Sequence, residues 1–232
     1  MKKNGILDVK YSLTQILYFA SYSALMGYAS VYLLDRGVSN SLIGTTLALV
    51  SIIAVFTQPM AASAADKKVI RLQPLIIVIL ALAVILSLGL YFFKLPTIIL
   101  LCVFVGVVTC MMTIQPLLNS LAFLFEKYGI EVNYGLARGL GSAAYALASA
   151  VLGYLVEDFG TSMIPLFYII GNILLIVVVY TYVVPKNQRH VVHREENQHE
   201  EVKQEQLSFF QFCSIYKKFM IFVVGVILVF FT

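Results

Sequence analysis

Apolar residues run along the chain in six long blocks that contain no charge, at positions 11–34, 37–65, 72–93, 95–125, 139–156 and 159–185. Each is near or above the roughly 20 residues that a helix needs to cross the hydrocarbon of a bilayer. In lipid a helix satisfies its own backbone hydrogen bonds, and these blocks are too long and too uniformly apolar for barrel strands. The pattern therefore predicts six spans in an all-α membrane protein. Positions 185–206 then turn sharply polar, with mixed Lys, Arg, His and Glu, and read as a solvated linker. An amphipathic stretch follows at 207–216, and positions 219–232 begin a new apolar run, too short to span. The expected organisation is a six-helix transmembrane bundle over 1–184, a cytoplasmic polar linker over 185–206, and at 207–232 an amphipathic segment with the truncated start of a seventh helix.

Helical spacing sorts the polar residues onto faces. In the first span Thr14, Gln15, Tyr18, Ser21, Tyr22, Tyr28 and Tyr32 fall within roughly 140° of arc. A polar-aromatic stripe gains nothing from lipid, so it faces protein or water, and Tyr suits sugars, nucleosides or aromatic acids. Tyrosines near a helix end also serve as interfacial anchors. The fourth span carries Thr109, Thr113, Pro116 and Ser120 on one narrow face, with Gln115 and Asn119 beside it. Pro116 frees a carbonyl in mid-membrane, which implies either a broken helix lining a cavity or a local kink with hydroxyls bonding back to the helix.

The fifth span has two faces. Gly139, Ala143, Ala146, Ala150 and Gly153 form a small-residue face suited to close approach of another helix, here expected from an absent second half. Tyr134, Arg138, Ser142, Tyr145 and Ser149 form the other, and Arg138 is the lone charge between Glu131 and Glu157. A mid-span Arg costs at least ~2.5–3.5 kcal/mol on insertion scales and is usually functional. Arg138 lies about one turn inside the helix, so snorkelling to the surface is the competing reading. If it instead enters a cavity, Asn119, Glu126 and Glu131 are its candidate partners.

Composition widens the picture from spans to class. With 60% hydrophobic residues, 12% charged and a mean hydropathy of +0.91, the chain carries more apolar surface than a soluble core of 232 residues can hide. Basic residues collect on alternate loops: Lys2, Lys3 and Lys10; Lys67, Lys68 and Arg71; Lys127; and Lys186, Arg189, Arg194 and Lys203. The intervening loops hold only Arg36 and Lys94 among cations, with Asp35, Glu157 and Asp158. The positive-inside rule then puts the N-terminus and the central linker in the cytoplasm, and the protein in the cytoplasmic membrane. No acid–base pair, nucleophile elbow, phosphate loop or thiolate spacing appears, so neither an enzyme nor a cofactor or metal site is expected. His190, His193 and His199 sit in the polar linker, where no packed element fixes a ligand geometry.

Three segments resemble the major facilitator superfamily, and within it the lactose permease-like and nucleoside or phenylpropionate:proton symporter branches. Gln58-Pro59-Met60-Ala61-Ala62-Ser63-Ala64-Ala65-Asp66-Lys67 is similar to the superfamily's loop between helices two and three, with Asp66 and Lys67 matching and Ala62 and Val69 in place of glycines. Pro116-Leu117-Leu118-Asn119-Ser120-Leu121-Ala122 looks like the helix-four segment that carries a substrate-binding acid, here Asn119. Tyr134-Gly135-Leu136-Ala137-Arg138-Gly139-Leu140-Gly141-Ser142 is similar to Gly-Arg-x-Arg-x-x-Gly-Ser, with Arg138 on the second arginine and Leu136 on the first.

The resemblance implies one six-helix half of the fold, made of two inverted three-helix repeats and working by alternating access with a missing C-terminal six-helix half. It also implies proton-coupled uptake (symport) of an oligosaccharide, nucleoside or similar hydroxylated small molecule, with no nucleic acid involved. Arg138, Asn119, Tyr18, Tyr22, Ser142 and Tyr145 are the expected substrate-binding residues, and Asp66 and Lys67 the gating loop. The alternatives are an exporter of drugs or metabolites in the same superfamily and a non-transporting half-length membrane protein. The charge asymmetry generates a first prediction: a cysteine introduced within 157–162 reacts with an impermeant thiol reagent from outside the cell, and one within 191–198 reacts only from inside.

Overall fold

The computed structural model describes residues 2–3, 5–66, 72–127 and 130–182. Seven α-helices are found there: α1 (Gly5–Tyr22), α2 (Ala29–Asp35), α3 (Asn40–Asp66), α4 (Leu72–Phe92), α5 (Thr97–Lys127), α6 (Tyr134–Phe159) and α7 (Met163–Tyr180). Five of them, α3 to α7, are long and apolar enough to cross a membrane. The segments Gly5–Gly27 and Ala29–Asp35 pass the same test as a pair bent by 45°, which makes up to six spans when the pair is taken as one. The polar linker with its histidines, the segment at 207–232, and Lys67 of the gating loop lie outside the described residues.

Of two expectations about continuity, one changes and the other is decided between its alternatives. The first span is not one straight helix: a π-helical turn at Ser23–Gly27 and non-helical backbone at Tyr28 separate α1 from α2. A π turn puts an extra residue into the helical ladder and redirects the axis. The fourth span, where Pro116 suggests a break, stays helical throughout. There the Thr113 hydroxyl donates to Thr109 O at 2.8 Å and the Ser120 hydroxyl donates to Pro116 O at 2.9 Å, the back-bonding alternative.

Helix ends also reach beyond the uncharged blocks, because the flanking polar groups find partners. Asp8, inside α1, accepts the backbone N–H of Asn133 at 2.9 Å, and Asn133 in turn caps α6 by accepting the Leu136 N–H at 3.1 Å. Lys10 donates to Thr181 O, while Gln73 of α4 donates to Val179 O and Tyr180 O. The last carbonyls of α7, which have no partner within their own helix, are thus satisfied by two neighbouring helices. Thr14 gives its single proton to Lys10 O, so the Tyr182 hydroxyl donates to Thr14 at 2.9 Å. Outside the spans, Lys2–Lys3 and Ile130–Glu131 pair as two short parallel strands.

Packing does not follow chain order. α1 lies against α6 and α7, α7 against α4, α4 against α5, and α5 against α3. Large apolar side chains such as Phe56 and Met60 of α3, Ile85 of α4, Leu147 and Val151 of α6 and Val177 of α7 are exposed outside this core, as a lipid-facing surface requires. On α6 the small residues Gly139, Ala143, Ala146 and Ala150 are exposed too. The buried residues of α6 are Ala137, Gly141, Ala148 and Leu152, and Gly141 among them meets α1 at Phe19 and Gln15.

Glycines set how close these helices come. A Cβ at Gly141 would stand 2.6 Å from Phe19 Cδ2 and 3.3 Å from Gln15 O. A Cβ at Gly27 would stand 3.1 Å from the Tyr145 hydroxyl and one at Gly153 2.9 Å from the Tyr28 hydroxyl, so the first span and α6 each offer a glycine to a tyrosine of the other. Gly171 of α7 likewise faces Ser21. A Cβ at Gly139, by contrast, meets nothing within 4 Å. Gly141→Ala is therefore expected to destabilise the purified protein by about 1–3 kcal/mol, the usual range for overpacking, while Gly139→Ala leaves thermal unfolding close to that of the native chain.

Candidate functional site

The site forms where α1 and α6 pack at Gly141. With no side chain there, the Phe19 ring slides against α6, and the Arg138 guanidinium lies over it, 4.1 Å from Cζ to the ring centroid. Phe19 meets Tyr18 edge-on at 5.1 Å and Tyr22 edge-on at 6.5 Å. Tyr18 and Tyr22 stack at 6.0 Å with planes 15° apart, and Tyr22 contacts Tyr145 of α6 at 6.3 Å. One cation and four rings thus run continuously across the interface.

Arg138 is half-buried, yet its Nη1 is fully buried and has no hydrogen-bond partner among the described residues. A cation–π contact contributes about 0.5–2 kcal/mol, less than the ~2.5–3.5 kcal/mol that a mid-span Arg costs on insertion scales. The ring holds the guanidinium by its face and leaves its N–H edge free to bind a hydroxyl or carboxylate.

The other expected residues divide by exposure. Tyr22 and Tyr145 are half-buried, Tyr22 against Phe19 and Tyr145 against Tyr22, and Ser142 is exposed, its hydroxyl donating to Arg138 O at 3.3 Å. Tyr18 is wholly enclosed, with its hydroxyl donating to Met111 O of α5 at 3.2 Å. Asn119 does not meet Arg138; its Oδ1 accepts from Gln15 Nε2 at 3.4 Å, and the same Gln15 amide donates to the Tyr11 hydroxyl at 2.9 Å. Glu126 is exposed, and the side chains of Glu131 and Asp66 lie outside the described residues.

Phe19 was not singled out from the sequence, where it is one more apolar residue beside Tyr18. The signal for it was Gly141, a glycine three residues beyond the arginine. Asn172 was missed as well: it is fully buried, its amide donates to Tyr168 O at 2.8 Å, and its Oδ1 is left without a partner. A lone amide in an otherwise apolar sixth span is what marks it.

The sequence profile of the MFS_1 like family matches residues 9–232. No curated protein and no solved structure matches the chain. With that match covering nearly all of the chain, on a body whose helices are long and apolar enough to cross a membrane, the chain belongs to the MFS_1 like family of the major facilitator superfamily and is a multi-pass membrane protein of transporter type.

Proposed function

We propose that the protein takes up an oligosaccharide, nucleoside or similarly hydroxylated solute across the cytoplasmic membrane, coupled to protons, with Arg138 as the anchor for substrate. The observation that carries this reading is the guanidinium lodged over Phe19 with Nη1 buried and without a partner among the described residues. A membrane arginine with unused donors has something to offer a solute rich in oxygen acceptors. Tyr22 and Tyr145, reached from it through Phe19, would supply ring faces, and Ser142, one turn along α6, a hydroxyl. Tyr18 and Asn119 enter as supports, the first by stacking under Tyr22 and the second through Gln15.

In this reading α1 and α2 form one broken span, and the resulting six spans are one half of an alternating-access transporter with two inverted repeats. The exposed strip Gly139, Ala143, Ala146 and Ala150 is where a helix of the C-terminal half would close on α6, since small residues let backbones approach. Asp66 and Lys67 belong to the loop that would gate the cytoplasmic side.

The test is uptake and binding of radiolabelled disaccharides and nucleosides by cells that express the protein at equal membrane levels. For a panel member that the native protein binds, Arg138→Lys is expected to weaken binding about tenfold or more, because the planar fork is lost while the charge stays, and Arg138→Ala to weaken it further. Unchanged affinity in both variants returns Arg138 to a snorkelling role.

A further inference from the structure

A cavity of about 390 Å³ lies where the chain leaves α2, α4 and α6, lined by Asp35, Arg36, Lys94, Leu95 and Ser162. Three separate loops therefore converge on it, with two cations and one carboxylate. It is independent of the Arg138 site, which lies at the α1–α6 contact.

The backbone fixes Arg36 in place. Gly37, at φ 79°, ends α2 in the left-handed conformation; its N–H bonds Leu34 O at 2.9 Å and that of Val38 bonds Leu33 O at 3.0 Å. That is a Schellman closure, with Val38 and Leu33 both buried behind it. Arg36 is the residue just before the glycine, and its guanidinium sits over the Tyr32 ring at 5.0 Å. Tyr32 is itself buried, and its hydroxyl donates to Leu90 O of α4 at 2.9 Å. The cation is thus held by its flat face on an anchored platform, and its N–H edge is left for another acceptor.

The lone carboxylate of the cavity is already engaged. Asp35 Oδ2 accepts the Thr161 hydroxyl at 2.6 Å, which ties the loop after α2 to the loop before α7. The first amides of α7 are used as well, Met163 N–H on Gly160 O and Ile164 N–H on Thr161 O. The Ser162 side chain makes no capping bond. The remaining donors facing the cavity are Arg36, Lys94 and the Ser162 hydroxyl. The nearby acids Glu157 and Asp158, in the last turn of α6, are exposed and do not line it.

We propose that this cavity binds a phosphate-type oxyanion, gripped by Arg36 through its N–H edge, by Lys94 as a second charge and by the Ser162 hydroxyl. The oxyanion belongs either to a free solute or to a lipid headgroup, which share this chemistry.

The test is titration of the protein in phosphatidylcholine nanodiscs with inorganic phosphate, followed by broadening of the phosphorus resonance. Saturable binding is expected, weakened about tenfold or more in the Arg36→Gln, Lys94→Gln double variant and retained in Arg36→Lys, Lys94→Arg. Lys94→Gln alone, a change at an exposed loop residue, is expected to weaken binding without altering thermal unfolding. Asp35→Asn is expected to tighten it, since one negative charge leaves the cavity while an acceptor for Thr161 remains. Repeating the titration in phosphatidylglycerol nanodiscs separates the sources: lost phosphate binding assigns the site to a lipid headgroup, and retained binding assigns it to a free anion. No binding by the native protein in phosphatidylcholine, or equal binding by the Gln double variant, overturns the proposal.

Discussion

Tyrosine hydroxyls of the first span reach across to main-chain carbonyls of three other helices, and the rest of the structure is arranged around those bonds. Tyr18 donates to Met111 O in α5, Tyr28 to Ser149 O in α6 and Tyr32 to Leu90 O in α4. In hydrocarbon there is no water to take these protons, so each hydroxyl needs a protein acceptor. A carbonyl already bonded along its helix has a second lone pair to offer. The stripe that helical spacing reveals is therefore consumed largely in holding the bundle together. The 45° bend between the two limbs of the span changes the direction in which the stripe faces, with Tyr18 before it and Tyr28 and Tyr32 after it.

Two arginines use the same physical device in different surroundings. Arg138 lies over Phe19 within the apolar body, and Arg36 lies over Tyr32 where α2 ends. In each case an aromatic face steadies the cation without occupying its donors. A carboxylate partner would have satisfied those donors and closed the site to a ligand. Close helix approach makes the first arrangement possible, since the Phe19 ring reaches its place only because Gly141 has no side chain.

Close approach also explains why α6 has two unlike faces of small residues. Ala137 and Gly141 are buried, Gly141 directly against Phe19 and Gln15 of α1, while Gly139, Ala143, Ala146 and Ala150 are exposed one step around the helix. Both sets follow small-x-x-x-small spacing, so spacing alone does not say which is occupied. The packing of Phe19 and Gln15 on Gly141 and the bond from the Tyr28 hydroxyl to Ser149 O decide it, because they hold the first span on the Gly141 side.

Much of the fold was legible in the sequence, because lipid imposes a simple rule on composition: a block of about 20 apolar residues must be a helix, and its polar residues must share a face. The apolar blocks that became α3 to α7, the stripe of the first span, and the isolation of Arg138 on α6 followed from that rule alone. The helix ends did not, since α1 and α6 extend through charged or polar residues that Asp8 and Asn133 satisfy across the bundle. Nor did the break: Pro116 lies in an unbroken α5, while a π turn with no proline redirects the first span. Asn119 pairing with Gln15 rather than Arg138, and Phe19 serving as the arginine's platform, were decided by tertiary packing. Periodicity reports which residues share a face of one helix, but which helix that face meets depends on the order α6, α1, α7, α4, α5, α3 in space, set by side-chain volumes and glycine clearances between segments far apart in the chain.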